Sequence, residues 1–412
     1  MPRTAWAEID LEALAGNLEV VRRLAGSGTP VYPVIKADAY GHGAIPVARA
    51  LEAGGADGFC VATYDEAAAL RLAGITRAVL VLYPIPPMLA AEAAERSIAV
   101  TAGDASLLAE LLAGAGAHAG EPLDIHLEVE TGLGRGGFRG SQLGDAATLI
   151  AGTPGARLMS AWTHVQAPED AGRTAAQVLE FERAASELAA RGHALPRHMT
   201  ASGGLLLGGV LSLDGVRPGL AMYGLVPDEL LGHVGASPLP AASSLRPVLS
   251  LRARPVRVAQ LPEGWGISYG PTFTTTRPST IATLPLGYGD GWSRALSNRA
   301  FALVRGVRVP LVGNVAMDAV MADVTDVPGA PVTPHDEFVL IGSQGEACIT
   351  AAHVAAARGT NSWEVVTTLA ARLPRVYHAA SVPRQTRTLT GDAIASASEG
   401  AAAEGLRRSM AP

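Results

Sequence analysis

The residues Val34-Ile35-Lys36-Ala37-Asp38-Ala39-Tyr40-Gly41-His42-Gly43 are the stretch around which the rest of the chain can be interpreted. The apolar, β-branched run 31–35 predicts a buried strand, and Gly41 and Gly43 predict a loop after it. Lys36 stands at the end of that strand and is the only lysine among 32 lysine and arginine residues. A lysine amine condenses with a carbonyl group, which a guanidinium cannot do. Lys36 is therefore a candidate for amine chemistry, with a codon bias against lysine as the alternative.

The composition limits the class of protein. Of the 412 residues, 48% are hydrophobic and 17% are charged, which is ample for a large core. A net charge of -6 without a dense basic run argues against a nucleic-acid partner. Cys60 and Cys348 give neither a disulfide framework nor a zinc-binding spacing, so we expect no metal. Because no apolar run approaches the roughly 20 residues of a membrane span, and no signal segment is evident, we expect a cytoplasmic protein that makes no membrane contact.

Short apolar strands alternate with amphipathic helices over the first part of the chain. Strand candidates end near Lys36, Thr63, Tyr83, Thr101, Glu130, His164, Ala201 and Arg217. Eight such units fit a closed parallel barrel better than an open doubly wound sheet, because no Gly-x-Gly-x-x-Gly motif follows the first strand. We therefore predict an α/β fold with an N-terminal (β/α)8 TIM-type barrel over residues 1–240, the first few of which are candidates to pack with the following domain.

The pattern changes after about residue 223. The segment 238–244, rich in Pro, Ala and Ser, is typical of a linker, and the later apolar runs alternate with turn residues. We predict a mostly β C-terminal domain over residues 241–384, in which only 350–358 and 362–373 are helical. Residues 385–412 are rich in Ala, Ser, Gly, Thr and Arg with little apolar periodicity, which predicts a disordered tail.

Polar residues gather at the carboxyl ends of the predicted barrel strands, the rim where such folds place their chemistry. They are Lys36, Tyr40, Arg135, His164, Ser202 and Arg217. A pyridoxal 5'-phosphate site needs an amine for the aldehyde, together with backbone N–H groups and hydroxyls for the phosphate. Lys36 offers the amine, and the loops 201–204 and 218–220 follow strands seven and eight, where barrels commonly bind phosphate. Ordinary turns are the alternative for each of these loops.

Two arginines on the rim have candidate roles toward this cofactor. Arg217 is placed to reach the pyridine nitrogen, and because an arginine stays protonated it would leave that nitrogen unprotonated and the ring a poorer electron sink. A salt bridge to Asp214 is the alternative. Arg135 is a candidate to pair with a substrate carboxylate or the cofactor's phenolic oxygen, with Glu128 orienting it. A purely structural loop is the alternative for Arg135.

The predicted β domain contributes two further loops. The segment 266–272 presents Tyr269 on a turn, and the segment 314–318 forms a second loop. From the residues alone, a structural role is the favoured interpretation of Tyr269.

A series of motifs between about Thr4 and Tyr377 closely resembles alanine racemase. They are VIKADAYGHG, TGLGRGG, VRPGLAMYG, ISYGPTF, LPLGYGDGWSR, VAMD and RLPRVY, in this order. They are specific and spread over both predicted domains, so chance is a negligible explanation. The resemblance implies a pyridoxal-phosphate-dependent enzyme with a barrel, a β domain and a head-to-tail homodimer that shares its active sites across the interface. It also implies racemisation of L- and D-alanine, which supplies D-alanine for peptidoglycan.

The resemblance further implies a two-base mechanism. Lys36 resembles the lysine that holds the cofactor and acts as base on one face of the substrate. Tyr269 resembles the base on the other face, which the second subunit supplies, and His164 and Arg217 match residues that support it. The remaining matches are Arg135, Met317 and Asp318 near the substrate, Tyr40, Ser202, Gly219 and Leu220 at the phosphate, and Tyr288 at the mouth of the substrate channel.

This chain departs from the family pattern at several positions. Glu128 stands where many members carry a carbamylated lysine, and it provides a carboxylate without modification. Ala201 replaces an asparagine before the phosphate serine, and Ala316 replaces a cysteine before Met-Asp. The family's Thr-Ile-Asn-Tyr-Glu reads Thr360-Asn361-Ser362-Trp363-Glu364, so Trp363 replaces a tyrosine that contacts phosphate and holds the catalytic tyrosine. This last change leaves the substrate preference and the rate open.

Three other functions share parts of the pattern. A serine or broad-specificity amino-acid racemase of the same fold is the nearest, and the region around Trp363 is compatible with it. A pyridoxal-phosphate carrier or homeostasis protein would lack the β domain, and the segment 267–270 argues against it. A decarboxylase of related architecture would hold the pyridine nitrogen with a carboxylate, which Arg217 disfavours.

Overall fold

The computed structural model describes residues 3–116, 120–208, 212–231 and 242–394. The chain divides into two compact units. The barrel unit consists of Leu14–Ala39 and Ala44–Arg246, and the β unit consists of Met1–Ala13, Tyr40–Gly43 and Pro247–Pro412. The domain boundary predicted at 240/241 lies outside the described residues. No helix within the described ranges combines the length and the apolar composition needed to cross a bilayer.

Strands and helices alternate along the barrel unit, whereas strands predominate in the β unit. The strands are β1 (Ala5–Asp10), β2 (Gly58–Val61), β3 (Ala78–Val81), β4 (Ile98–Ala102), β5 (Leu123–Glu128), β6 (Ala156–Trp162), β7 (Arg197–His198), β8 (Leu249–Ala253), β9 (Arg257–Leu261), β10 (Ser279–Leu284), β11 (Phe301–Val304), β12 (Val307–Val312), β13 (Val320–Asp323), β14 (Phe338–Gln344), β15 (Ala347–Ile349), β16 (Arg375–Ala379), β17 (Val382–Thr388) and β18 (Gly391–Ile394). The α-helices are Leu11–Ala25, Ala44–Ala53, Tyr64–Leu72, Ala90–Glu95, Ala105–Gly116, Ser141–Ala151, Ala171–Ala190, Ser202–Leu206, Asp228–Leu231, Ala351–Arg358 and Ser362–Thr367.

The barrel unit is a closed ring of parallel segments. Strands β2 to β7 form a six-stranded sheet in sequential order. The segments 31–35 and 214–218 complete the ring through backbone hydrogen bonds of 2.9 Å from Ile35 to Cys60, from Tyr32 to Val216 and from Arg217 to Thr200. These two segments form only isolated bridges, because Pro33 and Pro218 lie within them and have no N–H to donate. The (β/α)8 barrel predicted from the sequence is confirmed.

The β unit is a single extended sheet with short helices attached. The strand order is β18-β17-β16-β1-β8-β14-β11-β12-β13-β10-β9, with β15 on β14. The first strand of the chain, β1, pairs in parallel with β16 and antiparallel with β8, so the N-terminal residues belong to this sheet. Its core contains the fully buried side chains of Ile9, Leu251 and Phe338. The mostly β second domain expected from the sequence is therefore present.

The end of the described chain departs from the prediction of a tail. Residues 385–394 were expected to be disordered, yet β17 pairs with β16 and β18 pairs with β17. The composition is a poor guide here, because an edge strand is held by backbone hydrogen bonds and needs few apolar side chains. Gly391, at a φ of 125°, provides the turn into β18. The rest of the predicted tail, 395–412, lies outside the described residues, as does 238–241 of the predicted linker.

The second helix of the β unit is shorter than predicted. It was expected over 362–373 but ends at Thr367. Beyond it, the N–H of Ala370 donates to the carbonyl of Asp290 at 3.0 Å, a contact that a continuing helix could not make. The helix over 350–358 is present as Ala351–Arg358.

Candidate active site

Lys36 lies at the carboxyl end of the first barrel segment and is half-buried. Desolvation lowers its pKa from the ordinary value, and the charge of Arg135 lowers it further, while Glu66 and Cys60 act in the opposite direction. A lowered pKa increases the fraction of neutral amine at pH 7. This is the protonation state that both condensation with a carbonyl and proton abstraction require.

A strained turn follows Lys36. Ala37, Asp38 and Ala39 all have φ between 53° and 55°, in the left-handed region that costs a non-glycine residue about 1–2 kcal/mol. Two hydrogen bonds anchor the turn, from the N–H of Ala37 to the Glu66 carboxylate at 2.6 Å and from the N–H of Ala44 to Asp38 at 2.8 Å. The sequence predicted a loop here but not its handedness, since only Gly41 and Gly43 signalled positive φ.

Arg135 and Glu128 are brought together on the rim. An Nη atom of Arg135 lies 3.1 Å from the Glu128 carboxylate, and the guanidinium carbon lies 5.3 Å from the centre of the Tyr83 ring. Desolvation raises the pKa of the buried Glu128, and the hydrogen bond and charge of Arg135 oppose that shift. The carboxylate and the aromatic ring therefore orient the guanidinium from two sides.

Arg217 lies on the rim and is buried. Its guanidinium donates to the carbonyls of Thr163 at 2.6 Å and His198 at 3.0 Å, and also contacts Nδ1 of His198. Asp214 instead accepts from the N–H of Arg197 at 2.8 Å, so the alternative interpretation of Arg217 as a partner of Asp214 is wrong. Desolvation lowers the pKa of Arg217 to about 10, which leaves it protonated at pH 7.

A chain of polar side chains continues from Arg217 into the barrel. Nε2 of His198 lies 3.0 Å from the hydroxyl of Ser160, which lies 2.5 Å from Nδ1 of His126. Desolvation lowers the pKa of His126 to about 4 and that of His198 well below its usual range, so both rings are neutral at pH 7. Sequence analysis missed these residues. For His126 the signal was available in β5, where Asp124, His126 and Glu128 alternate with apolar residues and therefore share one face of the strand.

His164 follows β6 on the rim. Desolvation lowers its pKa to about 3, and the charges of Arg217, Arg135 and Lys36 act in the same direction. Its carbonyl accepts a hydrogen bond from the side-chain amide of Gln177 at 3.0 Å. The imidazole is therefore neutral at pH 7 and able to accept a hydrogen bond.

The two glycine-rich loops predicted to bind phosphate meet at Ser202. Its hydroxyl oxygen accepts hydrogen bonds from the N–H groups of Gly219 at 3.0 Å and Ala221 at 3.1 Å. Because the oxygen accepts twice, its own proton remains available for an anion. Leu220 is buried within the second loop, and Tyr40, which ends the left-handed turn after Lys36, is also buried.

The β unit carries Tyr269 at the tip of a hairpin. Gly266 pairs with Thr274 across this hairpin, and the Tyr269 side chain is 81% exposed. A side chain so exposed makes little contact within its own unit and is free to act elsewhere. The sequence prediction of a tyrosine on a turn corresponds to this geometry.

The loop 314–318 and the turn that carries Tyr288 are joined by backbone hydrogen bonds. The N–H of Tyr288 donates to the carbonyl of Ala316 at 3.0 Å, and that of Gly289 donates to the carbonyl of Met317 at 2.9 Å. The side chains of Met317 and Tyr288 are exposed, 52% and 43% respectively. Two segments that the sequence identified separately therefore form one surface of the β unit.

A buried carboxylate that sequence analysis missed supports this surface. Asp290 pairs with Arg3 at 2.5 Å and with Arg372 at 2.8 Å, and Arg372 also pairs with Asp318 at 2.6 Å. Burial alone would raise the pKa of Asp290, but the hydrogen bonds from Arg3, Gly287 and Arg372 hold it below the usual value. Asp318 is thus held by an arginine that also pairs with the buried carboxylate of Asp290.

Both domains of a known family match this chain. The model of the alanine racemase N-terminal domain matches residues 9–227, and that of the alanine racemase C-terminal domain matches residues 248–377. The chain belongs to the alanine racemase family. The motif resemblance found in the sequence is confirmed by this match.

Relatives and solved structures of the alanine racemase family agree over nearly the whole chain. The alanine racemase of Desulfovibrio desulfuricans is 39% identical over 378 residues, which cover 91% of this chain and 98% of the relative. A crystal structure of alanine racemase from Bacillus anthracis with bound L-Ala-P has a TM-score of 0.86 at 32% identity, covering 94% of this chain and 98% of its own. The structure of alanine racemase from Streptomyces coelicolor has a TM-score of 0.80 at 36% identity. The match covers 91% of this chain and 98% of the Streptomyces chain.

The departure from the alanine racemase pattern at Trp363 lies in a short helix. Trp363 is partly buried in Ser362–Thr367, and its carbonyl accepts from the Thr367 hydroxyl at 2.7 Å. Asn361 caps this helix, because its side-chain oxygen accepts from the N–H of Glu364 at 3.0 Å. Asn361 therefore has a local structural role.

Proposed function

We propose that this chain is a pyridoxal 5'-phosphate-dependent racemase that interconverts L-alanine and D-alanine by a two-base mechanism. The observation that carries the proposal is the position of the only lysine. Lys36 is half-buried with a lowered pKa, on the same rim that presents Arg135, Arg217 and Ser202. Membership in the alanine racemase family supports the same reaction.

The donors on this rim fit the proposed cofactor. Arg217 is 2% exposed and uses three N–H groups on His198 and Thr163, so its Nε–H and one Nη–H have no partner among the described residues. A buried guanidinium with donors left over suits a heterocyclic nitrogen acceptor. The groups that would hold the cofactor are Lys36 at the aldehyde, Ser202, Gly219, Leu220 and Tyr40 at the phosphate, Arg217 at the pyridine nitrogen and Arg135 at the phenolic oxygen.

The cofactor, when bound, withdraws electron density from the substrate Cα and makes its hydrogen acidic. The protein then has to remove a proton from one face and return one to the other. Lys36, with its lowered pKa, is the proposed base on the first face. Tyr269 is the proposed base on the second, and the neutral imidazole of His164 would accept a hydrogen bond from the tyrosine hydroxyl. Arg135, Met317 and Asp318 would position the substrate.

The proposed mechanism requires two copies of the chain. We propose a head-to-tail homodimer in which the second subunit's β unit supplies the tyrosine, with Tyr288 at the mouth of the substrate channel. The 81% exposure of Tyr269 in the single chain is compatible with such a role. We place the activity in the cytoplasm, where D-alanine enters peptidoglycan precursors.

A second candidate is racemisation of serine or of a broader set of amino acids by the same site. It is favoured by Trp363, since the indole occupies a position where the family pattern has a tyrosine and offers only an N–H donor. This alternative changes the substrate and leaves the fold, the cofactor and the two bases unchanged.

The test is incubation of the purified, cofactor-loaded protein in heavy water with each L-amino acid separately. The D-isomer and the α-deuterium are both followed. Alanine racemised far faster than serine supports the main proposal, whereas faster serine turnover supports the second candidate. Deuterium incorporation without inversion would contradict the role of Tyr269, and the absence of both would contradict the whole proposal.

A further inference from the structure

The hairpin that carries Tyr269 has an unusual tip. Two backbone hydrogen bonds hold its stem. The N–H of Ile267 donates to the carbonyl of Phe273 at 2.9 Å, and the N–H of Thr275 donates to the carbonyl of Trp265 at 3.0 Å. At the tip, Ser268 has a φ of 68° although it is not a glycine. Such a conformation persists only where surrounding groups enforce it. An exposed tip that has to present a base at a defined position therefore needs an external support.

Asn314 provides that support with both ends of its side-chain amide. Its Nδ2 donates to the carbonyls of Tyr269 and Gly270, each at 2.9 Å. Its Oδ1 accepts from the hydroxyl of Thr272 at 3.3 Å, and its backbone carbonyl accepts from the hydroxyl of Ser268 at 2.6 Å. One residue thus fixes the tip through hydrogen bonds to four of its five positions, all except Pro271.

The backbone just before Asn314 packs closely against the hairpin. A Cβ on the preceding Gly313 would lie 2.7 Å from the carbonyl oxygen of Ile267, so only glycine permits this approach to the hairpin. Asn298 ties the same two segments together, because it accepts from the N–H of Gly313 at 2.6 Å and donates to the hydroxyl of Thr272 at 2.9 Å. The support is therefore rigid at its base.

We propose that Asn314 is a positioning residue that holds Tyr269 in the orientation needed for proton transfer. The inference rests on the proposed function, since it assigns a purpose to the geometry of Tyr269. An amide is required, because a carboxylate of the same shape cannot donate and would set its lone pairs against two carbonyl oxygens. The loop that contributes Met317 and Asp318 then also sets the position of the second base.

The variant Asn314→Asp tests this inference, with Gln344→Glu as the matched control. Gln344 also uses both ends of its amide, donating to the carbonyl of Glu337 at 3.0 Å and accepting from the N–H of Gly306 at 2.9 Å, but it ties a different turn. Both changes replace an amide by a carboxylate opposite a carbonyl in the same unit. Only Asn314 supports the turn that carries Tyr269.

Racemisation by the cofactor-loaded variants is measured in both directions in heavy water, together with α-deuterium exchange without inversion. For Asn314→Asp we expect kcat to fall about 10- to 100-fold in both directions with KM within about twofold. For the enantiomer whose proton is removed by Lys36, the ratio of exchange without inversion to inversion should rise. Gln344→Glu should keep the wild-type ratio. A variant that only folds less well would lose exchange and inversion in proportion.

An unchanged exchange-to-inversion ratio in Asn314→Asp overturns the inference. If that protein does not fold, Ser268→Ala replaces it as the test, because it removes a single hydrogen bond to Asn314. Ser268→Ala should raise the ratio of exchange to inversion. An unchanged ratio in Ser268→Ala also overturns the inference. Tyr269→Phe separates this result from the proposed function. Retained racemisation in Tyr269→Phe would refute the second base itself, whereas lost inversion in Tyr269→Phe with a wild-type ratio in Asn314→Asp would refute only the support.

Discussion

The Glu66 carboxylate accepts a hydrogen bond of 2.6 Å from the N–H of Ala37, the residue that follows Lys36. Its second oxygen accepts from the N–H groups of Ala62 at 2.8 Å and Thr63 at 3.2 Å. One carboxylate thereby joins the strained turn after Lys36 to the loop after β2. Because its charge also raises the pKa of Lys36 against the effect of desolvation, Glu66 influences both the position and the protonation of the amine.

Replacement of Glu66 by Gln is expected to lower the pKa of Lys36 further, since a charge that stabilises the ammonium form is removed. The measurement uses the fact that Lys36 is the only lysine. Reductive methylation of the cofactor-free protein with 13C-formaldehyde labels Lys36 and the N-terminal amine, and NMR then gives the titration of each. Glu52→Gln is the control, because Glu52 also accepts backbone N–H groups, at Thr76 and Arg77. An equal or raised pKa in Glu66→Gln would contradict the expectation.

The neutral histidines of the barrel predict how stability depends on pH. The folded-state pKa values of His126, at about 4, and His164, at about 3, lie below the unfolded value of about 6.5. The unfolded chain therefore binds protons first as the pH falls. Stability is fully present above about pH 6.5 and falls below it, by about 1.4 kcal/mol per pH unit for each such imidazole. His198 contributes in the same direction.

The check is urea unfolding between pH 7 and pH 5, compared for the wild type and His126→Gln. Below pH 6.5 the unfolding free energy of the variant should fall less steeply with pH. The slope should be smaller by up to about 1.4 kcal/mol per pH unit, which corresponds to one proton. The same change at the exposed His335 serves as the control. A slope in His126→Gln equal to that of the wild type would show that the pKa of His126 is the same in the folded and the unfolded protein.

The sequence was sufficient to predict what depends on local periodicity and on motif order. The alternation of strands and helices predicted the barrel, and the rim positions of Lys36, Arg135 and Arg217 followed from strand ends that converge on one edge. The pairing of Arg135 with Glu128 was foreseeable because the two residues flank a single tight loop. These inferences needed no knowledge of distant contacts.

What the sequence could not predict depends on pairs far apart in the chain. Asp290 resembles an ordinary turn residue until Arg3 and Arg372 are seen to meet it, and Asn314 resembles a loop residue until its contacts with the Tyr269 hairpin are known. The strands β17 and β18 were missed because their polar composition resembles that of a disordered segment. Pairing with a sheet edge is a property of the neighbour, β16, and not of the strand's own sequence.

Gly287→Ala is expected to disturb the surface that carries Met317 and Tyr288. A Cβ at position 287 would lie 2.2 Å from the carbonyl oxygen of Ala316 and 2.5 Å from that of Met317, and these backbone atoms can move only with their loop. We expect a loss of about 1–3 kcal/mol in unfolding free energy, as for other overpacked sites, and a raised KM for the amino acid. Urea unfolding and steady-state kinetics measure the two effects.

The control for that variant is Gly264→Ala in the same unit. Gly264 has a φ of 77°, so alanine there carries a backbone cost, but a Cβ would meet nothing within 4 Å. It should lose stability while keeping the wild-type KM. If Gly287→Ala keeps the wild-type KM as well, the expected link between Gly287 and the proposed binding of substrate by the loop 314–318 is refuted.

The proposed sharing of each site between two subunits predicts complementation. Lys36→Ala lacks the amine and Tyr269→Phe lacks the second base, so each homodimer should be inactive. In a mixed dimer, one site combines the intact Lys36 of one subunit with the intact Tyr269 of the other, while the second site lacks both. With random reassortment, about half of the dimers are mixed, and each mixed dimer has one working site out of two. Up to about a quarter of the wild-type activity should therefore return. Unfolding and refolding the two variants together, against each refolded alone, gives the comparison. Activity no greater than the sum of the separate preparations would mean that both bases of a site come from one chain.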